Sequence, residues 1–541
     1  MKKLLILVVL LITFSCSFSQ NKTQHLASKV DSLLKFWEGK NRPGMANLEY
    51  DLPIDFTTRF HVGSVSKQFT AFAILLLEQQ GKLALNDDIR KHLPKLAKLD
   101  HIVTIRHLLN HTGGIRDNGD LLDLVGVRIS DEVRFEEVLK LVQQQTKVNF
   151  VPGSTYEYCN AGYMLLAKIV ENVSGESFLS FMTKNVFKPL KMNHTTIFDD
   201  PHKVIKKLAS SYARRDQGFA RNNLNSASYG STGLITTLED LSKWAMNFDQ
   251  IKVGSPALFK KMKVRGILNN GDTLRYALGQ EIKTYKGLEC IFHGGGIASY
   301  RAYLMRFPTQ KFSIVVLSNA RSSGLSIIQY VKKIADWYLA EALTTPSKKV
   351  TSANKTMPSK ALLKSYVGSY QLQPGLIFTI SQAAKGLQLK VTNQGLTPLK
   401  AVSAREFLLE GNGYKIIFPE VKKGQKASQL NYWQGDFEYI SKRIETVDFD
   451  KSKVDLKQVV GRYYSPELKT TYVMVQRKGK LTALHARNAP ITFTPFQPDD
   501  FIGNSFFLQR VAFVRNAAQK VIGCKISGSR AKDIYFEKMK K

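Results

Sequence analysis

A short stretch near the end of the chain occurs twice. LKSYVGSY at residues 363–370 reappears as LKQVVGRY at 456–463, and each copy is followed by short strand-like runs that end on an aromatic and basic segment, EYISKRI or IYFEKM. A repeat of about ninety residues suits one small β domain, and two copies are too few for a solenoid. The repeat therefore predicts two related all-β modules, at residues 361–446 and 453–541, each a small barrel or sandwich.

The preceding part of the chain has a different texture. FTAFAILLLEQQG and AGYMLLAKIVENVSG have helical spacing and end at a glycine, whereas YRAYLMRFP and KFSIVVLSN have the character of strands. A stretch rich in Thr, Ser, Pro and Lys follows at 346–360 and lacks periodicity, as is typical of a linker. We therefore expect an α+β domain over residues 20–345, a linker, and then the β modules.

The N-terminus has the layout of an export signal. Two lysines precede an apolar run at residues 4–12, which is too short to span a membrane, and small polar residues follow. Ser17 and Ser19 suit cleavage after Ser19, so residues 1–19 are interpreted as a signal peptide, with a lipid anchor on Cys16 as the alternative. The expected location is the periplasm or the cell exterior, with no transmembrane helix after cleavage.

Charge, cysteine and histidine content limit the classes of function. The formal charge of +34 would attract an anionic cell-surface polymer. Because no dense basic run or interleaved aromatic pattern is present, we expect no nucleic-acid binding. Outside the predicted signal, Cys159, Cys290 and Cys524 suggest no disulfide framework by their number and spacing. His107 and His111 lie one helical turn apart without an evident third ligand, so we predict structural histidines and no metal site.

One Ser-x-x-Lys sequence has a context that favours catalysis. The pattern alone is weak evidence, because it occurs at three other serines. At Ser64, however, Gly63 permits a tight entry into a helix, and one helical turn places Lys67 within reach of the hydroxyl. A desolvated lysine can accept a proton, and a serine at a helix start offers its own N–H to an oxyanion. We predict a nucleophile and its base; the alternative, a helix cap, gives no reason for the lysine.

Two further segments supply groups that such a serine needs. In PGSTYEYCNAGY, the Tyr158 phenol can pass a proton to the leaving atom, and the Asn160 amide can bind a substrate carbonyl. In IFHGGGIASY, the glycines after His293 let a ligand approach the strand, and the histidine can polarise the site or relay a proton. The alternative for this second segment is a glycine-rich hairpin end with a surface histidine.

Together and in this order, these segments resemble the serine β-lactamase and penicillin-binding-protein family, in particular its class C β-lactamase-like serine hydrolases. Ser64-x-x-Lys67 is similar to the first motif, and Tyr158-Cys159-Asn160 to the second, with a cysteine in place of the usual serine. His293-Gly294-Gly295 stands where lactamases carry Lys-Thr-Gly. IRHLLNHTGG, GSTGLITTLEDLSKW and YALGQ are also similar, so the resemblance covers about 300 residues, a large domain.

The resemblance implies a fold and a set of roles. The implied fold is an antiparallel sheet with a helical lobe, and the implied reaction is acyl transfer through Ser64, with Lys67 and Tyr158 as coupled base and acid. The N–H groups of Ser64 and Gly296 would form the oxyanion hole, and no cofactor is implied. The histidine form of the third motif implies an esterase or a D-amino-acid peptidase more than a dedicated β-lactamase. The substrate contacts implied in this way are Asn160, Gly295 and Gly296.

Two departures from the family pattern bear on activity. Family members usually place a two-stranded hairpin before the segment that resembles MANLEYDLPIDFTTRFHVGS, but here NRPG runs directly into it. About eighteen residues, enough for two strands, are missing, and their loss would expose apolar surface, weaken the domain or abolish activity. The second departure is milder: Ser299-Tyr300 stands where glycine and phenylalanine are usual.

Three hypotheses follow from the sequence. The leading one is an exported, metal-independent serine hydrolase that cleaves an ester or amide in a peptide or small ester through a Ser64 acyl-enzyme. The second is a penicillin-interactive D-alanyl peptidase or weak β-lactamase. The third is a decayed hydrolase that acts as a cell-surface binding protein through its basic β modules; the missing hairpin favours it, whereas the intact set of predicted catalytic residues argues against it.

Overall fold

The computed structural model describes residues 24–35, 44–128, 130–321, 326–344, 357–384, 386–409, 414–422, 424–434 and 437–540. The predicted signal peptide and most of the predicted linker lie outside the described residues. The chain divides into two compact units, which are Met1–Ile115, Ile129–Gln143 and Phe150–Ser347 for the first, and Arg116–Arg128, Gln144–Asn149 and Lys348–Lys541 for the second.

The helices of the first unit include both of those predicted from apolar spacing. The α-helices of the described residues, in chain order, are α1 (residues 24–34), α2 (Ser66–Gln79), α3 (Ile105–Leu109), α4 (Asn118–Leu124), α5 (Phe135–Gln143), α6 (Asn160–Ser174), α7 (Phe178–Met182), α8 (Leu238–Met246), α9 (Pro256–Met262), α10 (Ile327–Tyr338) and α11 (Lys360–Tyr366). Of these, α4 and α11 belong to the second unit. Gly175 ends α6 with a φ of 74°. Glycine adopts this left-handed conformation without strain, which explains why the helix stops there.

The strands of the first unit are short except in one sheet. They are β1 (Met45–Asn47), β2 (Leu52–Pro53), β3 (Phe60–His61), β4 (Val133–Arg134), β5 (Thr196–Ile197), β6 (Tyr212–Arg214), β7 (Phe219–Arg221), β8 (Ser226–Ala227), β9 (Leu234–Thr236), β10 (Glu281–Tyr285), β11 (Leu288–Ile297), β12 (Tyr300–Phe307) and β13 (Phe312–Ser318). The last four form an antiparallel sheet in sequential order, and β3, β9 and β5 form a three-stranded sheet. The strands predicted from YRAYLMRFP and KFSIVVLSN are confirmed as β12 and β13.

Apolar packing fixes the elements that carry the site. Phe292 and Tyr303 on the main sheet belong to a buried cluster with Val331 of α10. On α2, the ring of Phe69 stacks on Trp244 of α8 with centroids 4.3 Å apart. Such aromatic contacts bury large apolar areas, so the first turn of α2 is held in a rigid position.

The second unit contains two closed barrels of eight antiparallel strands each. The first comprises β14 (Gly368–Gln373), β15 (Leu376–Ala383), β16 (Gly386–Val391), β17 (Leu396–Ala401), β18 (Glu406–Leu409), β19 (Lys415–Ile417), β20 (Gln429–Gln434) and β21 (Phe437–Ile444); the second comprises β22 (Gly461–Ser465), β23 (Thr470–Arg477), β24 (Lys480–Leu484), β25 (Ile491–Gln497), β26 (Asp500–Gly503), β27 (Arg510–Arg515), β28 (Val521–Ser527) and β29 (Ile534–Lys538). In each barrel the first strand pairs with the last. The predicted all-β modules are confirmed as barrels, while the predicted domain bounds remain a prediction.

The predicted fold class, α+β followed by two all-β modules, is confirmed. Cys159, Cys290 and Cys524 are buried and form no disulfide bond among the described residues. In the part of the chain that the structure describes, no helix combines the length and the apolar character needed to cross a bilayer. The expected gap before Met45 adjoins residues 36–43, which lie outside the described residues, so the missing hairpin stays an expectation.

Candidate active site

Ser64 lies in a tight turn between a strand and a helix. The chain leaves β3, forms a 3₁₀ turn at Gly63–Val65 and continues directly into α2. Gly63 has a φ of 53°, and a Cβ atom there would lie 2.7 Å from the backbone nitrogen of Gly296. Any larger residue would therefore meet both backbone strain and a clash. Besides the tight entry into the helix that the sequence predicted, the glycine lets the serine loop approach β11 closely.

The Lys67 ammonium connects three elements around Ser64. Its Nζ lies 3.2 Å from Ser64 Oγ, and it donates to Asn160 Oδ1 and to the Ser231 carbonyl, each at 2.8 Å. The lysine side chain is fully buried. An amide oxygen and a carbonyl can only accept, whereas a hydroxyl can also donate. In the neutral amine, the lone pair can therefore face the Ser64 O–H, which is the geometry of a base.

Tyr158 lies beside Lys67 at the start of α6. The Lys67 Nζ is 4.7 Å from the Tyr158 ring centroid, and this ring is 4.3 Å from His111 and 6.3 Å from His293. The backbone N–H of Cys159 donates to His111 Nδ1 at 3.1 Å. His111 thus orders the segment that carries Tyr158 and Asn160, a contact that the spacing of two histidines could not reveal.

His293 is a neutral, buried ring in this arrangement. Its Nδ1 lies 2.6 Å from the Gly294 carbonyl, which can only accept, so Nδ1 carries the proton. Its Nε2 therefore accepts from the Tyr276 hydroxyl at 3.0 Å. Burial, and secondarily the charge of Lys67, lowers the pKa of His293 to about 3. A neutral imidazole adds no positive charge to the site, so any proton relay from it would run through Tyr276.

The glycines of β11 lie against the serine loop. A Cβ on Gly295 would fall 1.9 Å from the Val62 carbonyl oxygen and 3.1 Å from the Ser64 backbone nitrogen. The pairing of β10 with β11 begins with Glu281 opposite Phe292, so the glycine stretch extends past the start of β10. Only a residue without a side chain fits at Gly295, and the edge of β11 beyond Phe292 is not paired with β10.

The structure brings the predicted residues together and adds others. Ser64, Lys67, Tyr158, Asn160, His293, Gly295 and Gly296 all adjoin this one region, through the contacts given above. Sequence reasoning missed Tyr276, although YALGQ had been noted as a family-like segment. It also missed His61, whose Nδ1 accepts the Gly63 N–H at 3.1 Å. Burial lowers the pKa of His61 to about 3, so the ring stays neutral and able to accept.

The family comparison agrees with this geometry. A family model described as Beta-lactamase matches residues 23–329, which is more than half of the chain. The chain therefore belongs to the Beta-lactamase family. The family match and the relatives described next place the chain among serine hydrolases of the penicillin-binding and D-aminopeptidase type.

Particular relatives are similar over different shares of their length. Penicillin-binding protein 4* of Bacillus subtilis is 27% identical over 397 residues, which are 69% of this chain and 86% of that protein. The D-aminopeptidase of Cereibacter sphaeroides is 23% identical over 439 residues, 81% of this chain and 78% of that protein. Protein flp of Staphylococcus aureus (strain N315) is 29% identical over 293 residues, which span only 55% of that protein and 52% of this chain.

Solved structures share the fold at low identity. The octameric penicillin-binding protein homologue from Pyrococcus abyssi superposes with a TM-score of 0.52 at 22% identity, over 78% of this chain and 99% of that one. SurE gives a TM-score of 0.55 at 18% identity, over 79% of this chain and 100% of that one. At such identities the likeness concerns the fold alone.

Proposed function

We propose that this chain is an exported serine hydrolase that cleaves an ester or amide bond in a D-amino-acid peptide or a small ester. The observation that carries the proposal is the 3.2 Å contact between Lys67 Nζ and Ser64 Oγ, beside two lysine partners, the Asn160 amide oxygen and the Ser231 carbonyl, that can only accept. Similarity to a protein named D-aminopeptidase supports the amide substrate class. The apolar run at residues 4–12 supports export.

The reaction proceeds in two acyl-transfer steps. Lys67 accepts the Ser64 proton as Oγ attacks the substrate carbonyl carbon, and the N–H groups of Ser64 and Gly296 stabilise the oxyanion. Tyr158 delivers a proton to the leaving oxygen or nitrogen as that bond breaks. Water then attacks the acyl-enzyme and releases the acid, with the same groups returning the proton to Ser64.

The role of His293 in this proposal is to shape the site. Burial raises the pKa of Tyr276, which therefore stays protonated and donates to His293 Nε2. This bond fixes the ring beside Tyr158 and keeps it uncharged. Lys67, once it has accepted the Ser64 proton, is then the positive charge beside the reacting atoms. Asn160 accepts from the lysine through its oxygen and donates to the substrate carbonyl through its nitrogen.

An intact-mass experiment tests the proposal. The purified chain is incubated with a fluorophosphonate and, separately, with penicillin, and adducts are compared between wild type, Ser64→Ala and Ser32→Ala. Ser32 is a matched control, because it begins another Ser-x-x-Lys sequence on the exposed side of α1. A fluorophosphonate adduct that needs Ser64 but not Ser32 would support an activated nucleophile.

A second enzyme function has its own support. Similarity to a protein named Penicillin-binding protein 4* favours a penicillin-interactive D-alanyl peptidase or a weak β-lactamase. A stable penicillin adduct on Ser64 would indicate the peptidase, and rapid release of hydrolysed penicillin would indicate the β-lactamase. A folded wild-type protein that forms no adduct with either reagent would refute the hydrolase and leave the binding-protein hypothesis.

A further inference from the structure

A small cavity beside the end of β11 is lined by hydrogen-bond donors. It has a volume of about 280 Å³, and its lining residues are Arg214, Arg301 and Arg321 together with Asn222, Ser299, Ala213 and Ala298. Arginine has donors and no acceptor. Among the described residues that line the cavity there is no carboxylate. Three cationic groups around one small space favour an anion as the occupant.

Arg301 is held in place without being neutralised. It is half-buried, and its Nη1 donates to the carbonyls of Ala298, at 3.2 Å, and Tyr300, at 2.6 Å. Backbone carbonyls orient a guanidinium but leave its positive charge uncompensated. Burial, together with the charge of Arg321, lowers the pKa of Arg301. An anion between these two guanidinium groups would relieve that repulsion.

Ser299 adds a neutral donor to the cavity wall. Its side chain is 3% exposed, and its Oγ accepts from Asn222 Nδ2 at 2.9 Å. Its backbone N–H donates to Ser211 Oγ at 2.9 Å, so the turn is anchored. The Ser299 hydroxyl hydrogen has no acceptor among the described residues and is free to point into the cavity. This serine stands where glycine is usual in the family, so the departure noted in the sequence falls on a wall of the cavity.

The cavity lies a short distance from the proposed oxyanion hole. Gly296 pairs with Arg301 across β11 and β12, and a Cβ on Gly296 would lie 3.2 Å from Arg301 Nη1. Ala298 follows Gly296 by two residues and also lines the cavity. Two residues of extended chain span about 7 Å. Ala298 on the cavity wall therefore lies about 7 Å along the chain from Gly296.

We propose that the cavity binds a carboxylate carried by the acyl part of the substrate, so that the enzyme prefers acyl donors with a second acidic group. The inference rests on the proposed hydrolase function, which it sharpens by naming a substrate class. Arg301 and Arg321 bind the two carboxylate oxygens, and Ser299 donates a further hydrogen bond. Charge-assisted bonds of this kind are each worth about tenfold or more in affinity.

The test uses two matched compounds that differ in one carboxylate. N-succinyl-D-alanine amide places its carboxylate about 7 Å from the alanine carbonyl, the same span as two extended residues, whereas N-acetyl-D-alanine amide lacks the group. Binding of each to the purified Ser64→Ala chain is measured by calorimetry, which avoids turnover. We expect the succinyl compound to bind about tenfold more tightly.

Charge variants locate the effect. Arg321→Gln, made in the same background, should bring the succinyl compound down to the affinity of the acetyl compound and leave the latter unchanged. Arg321 is exposed, so its loss does not threaten folding. Arg215→Gln is the matched control, because Arg215 is exposed on the turn between β6 and β7 and does not line the cavity. That control should retain the full preference.

Each outcome separates the cavity from the hydrolase. Equal binding of the two compounds, or a preference that survives Arg321→Gln, overturns the inference. Free succinate that binds as tightly as the succinyl compound, without displacing the acetyl compound, also overturns it, because the anion would then bind independently of substrate. Turnover of the corresponding methyl esters by wild type is measured in parallel. No turnover with an Arg321-dependent binding preference would refute the hydrolase while supporting a carboxylate-binding cavity.

Discussion

The two barrels derive from related sequences but close with different cations. In the first, Tyr370 pairs with Arg443 across the closing strands, and the guanidinium lies 4.7 Å from the ring centroid. In the second, Tyr463 pairs with Lys538 in the corresponding place, with Nζ 5.7 Å from the ring. Each tyrosine donates to the carbonyl four residues earlier, at 2.7 and 2.8 Å. The repeat therefore preserves a tyrosine anchor and varies the cation over it.

The glycine of the repeat makes room for that cation. Gly368 and Gly461 have φ values of 151° and 144°, which glycine tolerates and other residues avoid. A Cβ on Gly368 would lie 2.0 Å from Arg443 Nη1, and one on Gly461 would lie 3.0 Å from Lys538 Cε. The Gly-x-Tyr pattern common to both copies is thus explained by barrel closure. Arg443 approaches the glycine more closely than Lys538 does.

A second difference concerns what each barrel packs against. The first barrel is covered by its own helix α11, whose Tyr366 ring stacks on Phe418 at 3.9 Å. The second barrel packs against the segment 116–128, which is distant from it in sequence. Tyr472 donates to the Leu124 carbonyl at 2.9 Å, and Arg116 forms an ion pair with Glu467 at 2.8 Å. The first barrel is thus packed by a helix that directly precedes it in sequence, whereas the second also packs against a segment inserted from the first half of the chain.

The largest expected effect comes from breaking the contacts of Arg116 that join the segment 116–128 to the second barrel. Arg116 is almost fully buried and also donates to Gln145 Oε1 and to the Lys532 carbonyl, at 2.9 and 3.1 Å. Arg116→Met would remove the donor that these two acceptors share and the cation that pairs with Glu467, which keeps only its bonds from Thr146, at a cost of about 3 kcal/mol. Hydrogen-exchange mass spectrometry should show faster exchange in 116–128 and in β22 to β29, with β14 to β21 unchanged. Arg477→Met, at an exposed arginine of the same barrel, is the control; an equal response there would contradict the comparison.

The sequence predicted the features that depend on residues close together in the chain. The repeat gave two β modules with a basic aromatic closing strand, and one helical turn placed Lys67 beside Ser64. The sequence left open whether each module is a barrel or a sandwich, because strand alternation is local whereas barrel closure joins residues far apart in sequence, such as Tyr370 and Arg443. The Arg116 ion pair joins positions 351 residues apart. Tyr276 was missed for a similar reason, since its hydroxyl, in the loop before β10, meets His293 on β11, 17 residues later.

A smaller effect should distinguish the two closing cations. Arg443 Nη2 donates to Tyr370 Oη at 2.6 Å and to the Ser365 carbonyl at 3.0 Å, and its other nitrogens donate to the carbonyls of Val367 and Ala427. Arg443→Met should destabilise the first barrel by about 2 kcal/mol, since several acceptors lose their donor.

The paired variant in the second barrel should cost less. Lys538 Nζ makes one hydrogen bond, to the Gln458 carbonyl at 2.8 Å, so Lys538→Met should cost less than about 1 kcal/mol. The two losses of stability are measured by hydrogen-exchange protection, in β14 and β21 for Arg443→Met and in β22 and β29 for Lys538→Met. Equal losses would mean that the tyrosine alone, rather than its cation, sets the stability of closure.

Another small expected effect is a pH dependence confined to the segment 116–128 that packs against the second barrel. Burial, reinforced by the charges of Asp120 and Asp117, raises the pKa of Asp123 to about 7. Burial also raises the pKa of Asp120, which accepts from the Arg530 backbone N–H at 2.6 Å and from Ser529. An acid whose pKa is raised on folding binds its proton more tightly in the folded state, so stability increases as pH falls from about 7 to about 4. Because Asp123 is partly exposed, the gain is reduced to about 1 kcal/mol.

Exchange protection of 116–128 should therefore be greater at pH 5.5 than at pH 7.5 once intrinsic rates are corrected, with β14 to β21 as the internal reference. Asp123→Asn should reduce this difference, whereas a wild-type segment that loses protection on acidification would show that the ion pairs of Arg116 and Arg530 dominate instead.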